Sequence, residues 1–310
     1  MVTQRHDLGG IHAVLYALFD RNEHTDLGAM RAQAQLMVDL GAHGVTVLGL
    51  ATEVQKLSEH ERIEIIEAVA QDVVGHIPFS VTLTGNNIAE QRRIATCAVK
   101  EGAEFLILQP PNVGSFGSQE YIDFFLRVAD GFDVRFGVQN APQYLGRALR
   151  HQDIVNLRAS NPLFDVIKAE APAIDLAKLA KAAGGGLTLL NGRGGLEMTD
   201  CLRSGANGFI LAPDAIDLAM SCYEHWHASQ TEQAEIDHAT ALPAIQFVMQ
   251  SIEHLICYGK RLFGLRAGFQ IHDRGPCLRP DETGLQLTEL WADRLGPIGT
   301  GKSGLSNGTF

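Results

Sequence analysis

A lysine and a glutamate stand two residues apart at the end of a short apolar run, Phe164-Asp165-Val166-Ile167, which continues as Lys168-Ala169-Glu170. Side chains alternate between the two faces of a strand, so Lys168 and Glu170 are predicted to project from the same face. An ammonium among apolar neighbours loses hydration of its charged form, which favours the neutral amine that attacks a carbonyl carbon. The pair therefore indicates either a Schiff-base lysine beside an acid–base carboxylate or a structural ion pair.

Eight short apolar runs recur along the chain, and each predicts a buried strand. They are Ile11–Leu18, Val45–Leu50, Phe79–Leu83, Phe105–Leu108, Val134–Val138, Val166–Ile167, Leu187–Leu190 and Phe209–Leu211. Between most of them lie stretches with apolar residues every three or four positions, which predict helices: Leu27–Leu40, Ser58–Val74, Ile88–Glu101, Gln119–Asp130 and Ile174–Ala183. This alternation is typical of a parallel sheet covered by helices.

Three glycines support this pattern, because each stands where a helical stretch ends and the next strand begins. Gly41, Gly102 and Gly205 can adopt the left-handed conformation that closes a helix. Eight strand–helix units predict an α/β fold, a (β/α)8 TIM barrel over residues 1–213. The alternative is an open doubly wound sheet, but no GxGxxG motif follows the first strand. In such a barrel the active site lies at the carboxyl ends of the strands, where Lys168 and Glu170 are expected.

The chain after the eighth strand carries helical periodicity and no convincing strand. Residues 214–295 are therefore predicted to form a C-terminal helical subdomain, with the clearest periodicity in Ala215–His227, Glu232–Ile256 and Leu285–Arg294. Residues 296–310 are rich in Gly, Ser, Thr and Asn and have little to bury. We expect this last segment to be a flexible tail.

Composition restricts the partners of the protein. Of its 310 residues 45% are hydrophobic and 20% charged, and the formal net charge is −11. This acidity argues against binding of nucleic acid or an anionic membrane, so a small molecule is the expected partner. The five cysteines are scattered without metal-ligand spacing, and neither a leader segment nor a membrane span is recognisable. We predict a cytoplasmic protein with no metal and no cofactor.

Several motifs together resemble, in chain order, those of the dihydrodipicolinate synthase and N-acetylneuraminate lyase family. The segment Val138–Pro142 precedes Lys168 by a spacing similar to that between the Tyr-Asn-x-Pro motif and the Schiff-base lysine of that family. Further similarities lie in Ala13–Phe19, Gly49–Glu53, Leu57–Arg62, Gln109–Pro111, Gly259–Leu265 and Arg274–Pro280. The resemblance implies a barrel enzyme that joins Lys168 to a small 2-oxo acid, and a homotetramer built as a dimer of dimers.

The chain departs from the family pattern at positions that carry function. Gln139 replaces the catalytic tyrosine, and an amide cannot transfer protons near neutral pH. Leu50 and Ala51 replace the threonine pair that holds the substrate carboxylate, which leaves Thr52 as the only hydroxyl of that loop. Tyr144 stands where the synthase has an arginine. Proton transfer and carboxylate binding must therefore be rearranged.

Two motifs of the chain resemble those of a subgroup, the 2-keto-3-deoxy-L-arabonate dehydratases. In that subgroup the motifs read Val-Gln-x-Ala-Pro and Lys-x-Glu-x-Pro. The chain has both, in Val138–Pro142 and Lys168–Pro172. The resemblance implies that a Schiff base at C2 acidifies the C3 protons and that loss of the C4 hydroxyl completes a dehydration. Glu170 would act as the acid or base; the alternative is that it only orients Lys168.

The predicted site combines catalytic and substrate-binding residues. The candidate catalytic residues are Lys168, Glu170 and Gln139, and the candidate substrate-binding residues are Thr52, Leu50, Ala51, Asn140, Pro142, Asn191, Gly192 and Arg193. The last three follow the seventh strand, where barrels often bind phosphate, and could equally hold a sugar-acid carboxylate or form a tight turn.

The sequence is compatible with three functions. The first is a Schiff-base dehydratase of a 2-keto-3-deoxy sugar acid. The second is an aldolase, a deaminase or a synthase-like enzyme acting on a related 2-oxo acid. The third is a non-catalytic sugar-acid-binding relative, against which Lys168 argues, because a binding protein needs no amine at that strand end.

Overall fold

The computed structural model describes residues 8–299, and its centre is a closed barrel of eight parallel strands. The strands are β1 Gly10–Val14, β2 Gly44–Val47, β3 Phe79–Leu83, β4 Phe105–Leu108, β5 Arg135–Asn140, β6 Phe164–Ala169, β7 Thr188–Asn191 and β8 Gly208–Leu211. Strand β8 pairs with β1, and this pairing closes the sheet. The predicted (β/α)8 barrel is confirmed.

Helices follow the strands along the chain, and side-chain caps and glycines mark the ends of several of them. They are α1 Leu27–Leu40, α2 Glu59–Val73, α3 Ile88–Lys100, α4 Ser118–Ala129, the short α5 Pro142–Leu145, α6 His151–Ser160, α7 Ala173–Ala183 and α8 Met198–Arg203. Ser58 and Glu61 form a reciprocal capping box at the start of α2. Gly41, Gly102 and Gly205 have φ of +78°, +89° and +95°, as their positions after helices predict.

Strand β1 is shorter than the predicted run Ile11–Leu18: the N–H of Leu15 still donates to the carbonyl of Thr46 in β2 at 3.0 Å, and side chains then supply the next main-chain partners. The amide of Gln33 bonds both the N–H and the C=O of Tyr16, at 2.9 Å each. The hydroxyl of Thr52 donates to the carbonyl of Leu15 at 2.7 Å. The carbonyl of Leu15 and both main-chain groups of Tyr16 are therefore satisfied by side chains and not by strand pairing, which an apolar pattern alone does not reveal.

The segment after β8 is helical, as predicted, but its division differs from the expected one. The helices are α9 Ile216–His227, α10 Thr231–Val248, α11 Ile252–His254, α12 Lys260–Ala267 and α13 Glu282–Leu295, with a π-helical turn at Leu255–Gly259. The predicted continuous helix Glu232–Ile256 is wrong: α10 ends at Val248, and the side chain of Ser251 caps a new helix. Within residues 8–299, none of the helices combines the length and apolar character that a bilayer crossing requires.

Buried polar groups connect these helices to the loops after β1 and β2. Lys260 Nζ donates to the carbonyl of Ala17 at 3.1 Å and to the carboxylate of Glu53, while burial lowers the pKa of its ammonium. The hydroxyl of Tyr16 donates to Asp214 at 2.8 Å, and burial raises the pKa of Asp214 to about 6. The C-terminal helices are thus bonded to the end of the barrel where the site is expected.

The expected tail at 296–310 is described only for its first four residues. Within these, Ile298 is buried, and its N–H donates to the carbonyl of Arg266 at 3.0 Å. This part of the segment packs on α12. Residues 300–310 lie outside the described chain.

A buried histidine in β1 makes stability depend on pH. The His12 ring is fully buried, Nε2 lies 3.0 Å from the carbonyl oxygen of Leu8, and burial lowers the pKa to about 4 from 6.5. This group stabilises the fold above pH 6.5, and the contribution is lost as the pH falls from 6.5 towards 4 because only the unfolded chain takes up the proton. When the pH falls from 7 to 5, His12 should cost the wild type about 2 kcal/mol of unfolding free energy. We expect His12→Gln to lack this part of the loss.

Urea unfolding of both proteins at the two pH values measures this difference. The glutamine side chain keeps an N–H that can bond Leu8, so the comparison isolates the titration. Equal losses of unfolding free energy in the variant and the wild type would show that His12 does not contribute to acid sensitivity.

Candidate active site

Five buried polar side chains meet at the carboxyl ends of successive strands. Thr84 and Gln109 directly follow β3 and β4, Gln139 and Lys168 lie in β5 and β6, and Glu170 follows β6. Each is at most 8% exposed. Buried polar side chains need partners, and these provide partners for one another. The fold therefore assembles one connected polar cluster at the mouth of the barrel.

The barrel register brings Lys168 and Glu170 together as the strand alternation predicts. Lys168 pairs in register with Gln139 of β5 and with Leu190 of β7. Its Nζ lies 3.2 Å from Oε1 of Glu170, and both side chains are buried. The amine and the carboxylate are close enough to exchange a proton.

A directional hydrogen-bond chain ends on the carboxylate of Glu170. The hydroxyl of Thr84 donates to Gln109 Oε1 at 2.9 Å. Gln109 Nε2 donates to Gln139 Oε1 at 2.8 Å, and Gln139 Nε2 donates to Glu170 Oε1 at 3.3 Å. Because every donor points towards Glu170, the bonds polarise one another in favour of the negative carboxylate. Gln139 thus holds Glu170.

Thr84 and Gln109 were not predicted as site residues. Both are the first polar residues after an apolar run, which is the criterion that selected Lys168 and Glu170. Applying the same criterion to the third and fourth strands would have found them.

The second oxygen of Glu170 is held by the loop after β7. The main-chain N–H of Arg193 donates to Oε2 at 2.7 Å. Asn191 Nδ2 donates to the carbonyls of Ala169 and Ala171 at 2.8 and 3.0 Å, which fastens this loop to the end of β6. Both carboxylate oxygens therefore have fixed partners, and the predicted group Asn191, Gly192 and Arg193 lies next to Glu170.

Gly192 is needed for this close approach. A Cβ atom added there would lie 2.2 Å from Oε2 of Glu170, closer than atoms can pack. We expect Gly192→Ala to displace the carboxylate and to lower turnover by about tenfold or more, because small misplacement of a catalytic group is costly. Steady-state kinetics on the substrate of the wild type measures the effect.

Gly28→Ala is the matched control, since a Cβ there would meet only the side chain of Asp26, at 3.4 Å. It should retain wild-type turnover. If Gly192→Ala were equally active, the position of the Glu170 carboxylate would not limit the reaction.

Asn140 and Pro142 shape the segment after β5. Asn140 Nδ2 donates to the carbonyl of Leu149 at 3.1 Å, and the N–H of Leu149 donates to Asn140 Oδ1 at 2.8 Å. Pro142 is exposed and opens α5, a position where its missing N–H costs nothing. Both polar ends of the Asn140 amide are thus bonded to the main chain.

The predicted residues Leu50, Ala51 and Thr52 of the loop after β2 have one polar side-chain group among them, and that group is already bonded within the protein. Ala51 is buried, and Leu50 contributes to an apolar pocket of about 430 Å³ together with Ile252 and Ile256. Thr52 is fully buried, and its hydroxyl is bonded to the carbonyl of Leu15. The three side chains therefore differ in position: Leu50 borders a pocket, whereas Ala51 and Thr52 pack inside.

Tyr144 on α5 is half-buried and was not predicted as a site residue. Burial is the main cause that raises the pKa of Tyr144; the charge of Glu170 adds to this, whereas Arg193 opposes it. The guanidinium of Arg193 pairs with Glu197, and its Nε finds no hydrogen-bond partner among residues 8–299.

Comparison with known proteins identifies the family. Residues 7–278 match the dihydrodipicolinate synthetase family. A 4-hydroxy-tetrahydrodipicolinate synthase of Haloarcula marismortui is 28% identical over 163 residues, 53% of each chain, so the match spans about half of that relative. An L-2-keto-3-deoxyarabonate dehydratase of Azospirillum brasilense is 23% identical over 249 residues, 78% of this chain and 80% of that protein.

Solved structures agree on the fold. The sialic acid aldolase of Ruminococcus gnavus superposes with a TM-score of 0.87 over 94% of this chain and 97% of its own, at 19% identity. At this identity the likeness establishes the barrel alone. The match over residues 7–278 establishes more: the chain belongs to the dihydrodipicolinate synthetase family, whose members are lyases.

Proposed function

We propose that the protein is a Schiff-base-forming dehydratase of a 2-keto-3-deoxy sugar acid. The observation that carries the proposal is the buried pair of Lys168 and Glu170, with 3.2 Å between amine and carboxylate. A carboxylate is the nearest titrating partner of the amine at a site where the family uses a phenol on β5. The similarity to an L-2-keto-3-deoxyarabonate dehydratase supports the same reaction class.

The first step is attack of Lys168 Nζ on the C2 carbonyl of the 2-oxo acid. Glu170 is placed to take the proton that the ammonium must lose and to return one to the departing carbinolamine hydroxyl. The protonated imine then withdraws electrons from C3. A carboxylate beside the amine can next remove a C3 proton, which gives an enamine that expels the C4 oxygen.

Gln139 supports this chemistry without transferring a proton. Its amide has no group that titrates near neutral pH, but its N–H donates to Glu170 and its carbonyl accepts from Gln109. The exchange of a phenol for an amide at this position therefore moves proton transfer from β5 to Glu170.

Binding of the substrate carboxylate is assigned to Arg193. Leu50 and Ala51 provide no side-chain donor, and the hydroxyl of Thr52 is bonded to Leu15. The main-chain N–H of Arg193 bonds Glu170, and its guanidinium has a buried Nε without a partner among residues 8–299, so this side chain can donate to an anionic group of a substrate.

Two measurements test the proposal. Incubation with pyruvate and borohydride should add a stable mass to the peptide that contains Lys168. A panel of 2-keto-3-deoxy acids of different length and stereochemistry, analysed by product, should show loss of water from at least one member. Release of pyruvate instead would assign an aldolase, and neither trapping nor turnover by the folded protein would favour a sugar-acid-binding relative.

A further inference from the structure

Oε1 of Glu170 is the carboxylate oxygen that faces the amine. Lys168 Nζ lies 3.2 Å from it, and Gln139 Nε2 donates to it at 3.3 Å. An ammonium has three N–H donors, whereas a protonated imine nitrogen keeps one. Once the substrate is joined to Lys168, the amide of Gln139 is therefore the partner that continues to hold Oε1 unchanged. The C3 proton is removed only at this later stage.

The amide of Gln139 supports the carboxylate in only one of its two orientations. With Nε2 towards Glu170 it donates to Oε1, as it does in the structure. After a half-turn of the amide, its carbonyl oxygen would face the carboxylate, and two acceptors would meet without a proton between them. Glu170 would then lose a partner in a buried site, which is costly. Whatever fixes the orientation of this amide therefore also fixes Glu170.

Gln109 fixes that orientation from the other side. Its Nε2 donates to Gln139 Oε1 at 2.8 Å, so the carbonyl of Gln139 is directed away from Glu170. The hydroxyl of Thr84 donates to Gln109 Oε1 at 2.9 Å and satisfies the other end of the Gln109 amide. Turning the amide of Gln139 would break its bond to Gln109 as well as its bond to Glu170. The orientation seen in the structure is therefore held at both ends.

The main chain of Gln109 is itself held in place. Its N–H donates to the carbonyl of Leu83 at 3.0 Å, and its carbonyl accepts from Nε2 of the fully buried Gln91 at 3.0 Å. The same Nε2 donates to the carbonyl of Gly85 at 3.2 Å, which ties the loop after β3 to the end of β4. The amide of Gln109 therefore extends towards Gln139 from a fixed piece of backbone.

These contacts give Gln109 a task in the reaction although it has no group that transfers protons. We propose that Gln109 is a positioning residue: by fixing the amide of Gln139 it holds Oε1 of Glu170 where the carboxylate removes the C3 proton. The inference rests on the function proposed above and concerns its proton-transfer step. It adds the end of β4 to the strands β5 and β6 that carry the reacting groups.

Exchange of the pyruvate methyl protons in D₂O measures this step directly. Lys168 forms the imine, Glu170 takes a C3 proton while the C–H electron pair becomes the C2–C3 double bond, and a deuteron from solvent then returns to C3. We expect Gln109→Met, which keeps the length of the side chain and removes the amide, to lower the exchange rate about tenfold, since small misplacement of a catalytic group is costly. The final extent of borohydride trapping of pyruvate at Lys168 should equal that of the wild type, because the amine is unchanged.

A double-mutant cycle determines whether Gln109 acts through Gln139. If it does, Gln109→Met has nothing further to disturb once Gln139→Met has removed the intermediate amide, so the double variant should exchange within about twofold of Gln139→Met alone. Gln33→Met is the matched control, because that buried amide bonds the main chain of Tyr16. Any loss that it causes should multiply with the loss from Gln139→Met, as expected of independent sites.

Exchange by Gln109→Met within about twofold of the wild-type rate would overturn the inference. So would losses that multiply when Gln109→Met and Gln139→Met are combined, or trapping that falls together with exchange, since either result would assign Gln109 to local packing. A wild type that exchanges no methyl protons would overturn it as well. A wild type that exchanges methyl protons but dehydrates no sugar acid would overturn the dehydratase function alone, and the cycle would still decide the role of Gln109.

Discussion

Substituting Lys168 with alanine should eliminate borohydride trapping and lower turnover by about 1,000-fold or more, as loss of a covalent nucleophile does in other enzymes. The reason lies in the composition of the site: Lys168 is the amine of the buried polar cluster around Glu170. An imine requires an amine, and the other members Thr84, Gln109 and Gln139 carry a hydroxyl or an amide instead. Intact-protein mass spectrometry after borohydride reduction with pyruvate, together with the dehydration assay, measures both effects.

The variant should fold, because Glu170 keeps its other partners. Gln139 and the N–H of Arg193 still bond the two carboxylate oxygens, so the loss of unfolding free energy should be about 1–3 kcal/mol, the usual cost of removing one partner of a buried polar group. Lys178→Ala is the control, since that side chain is 62% exposed on α7. Turnover by Lys168→Ala above about 1% of wild type would contradict covalent catalysis at this residue.

The fold could be predicted because two periodicities separate strands from helices. Apolar runs gave all eight strands, and helix α1 begins and ends where its pattern does, at Leu27 and Leu40. Errors arose where side chains replace main-chain partners. Gln33 satisfies the main chain of Tyr16 and so ends β1 early, and Ser251 starts a new helix inside a continuous apolar pattern. Such bonds depend on distant or single side chains that periodicity does not register.

The candidate site was only partly predictable, for a related reason. Lys168 and Glu170 follow from one strand, because alternation alone places them on one face. The bond from the N–H of Arg193 to Glu170 joins the loop after β7 to the end of β6, two segments that become neighbours only when their strands pair. Thr52 shows the converse: its loop is near the site, yet its hydroxyl is bonded to Leu15. Residue type and position in a motif do not determine where a side chain points.

Replacing Glu170 with glutamine should separate imine formation from proton transfer. The change preserves the size of the side chain and removes its titrating group, so we expect a loss of turnover of about 100-fold or more. The amide can still accept from the N–H of Arg193, whereas its second end must now present an NH₂ group or a carbonyl to Gln139. The dehydration assay and borohydride trapping of pyruvate at Lys168 are measured on the same preparation.

Trapping that survives while dehydration is lost assigns proton transfer to Glu170. If both fall together, Glu170 chiefly orients Lys168, as expected of an ion pair with a structural role. If both persist near the wild-type level, the base lies elsewhere in the site and the assignment is wrong. Glu235→Gln serves as the control, because that carboxylate is half exposed and pairs with Arg203 far from the barrel mouth, on α10. Its turnover and trapping should equal those of the wild type, which leaves any loss in Glu170→Gln attributable to the one carboxylate beside the amine.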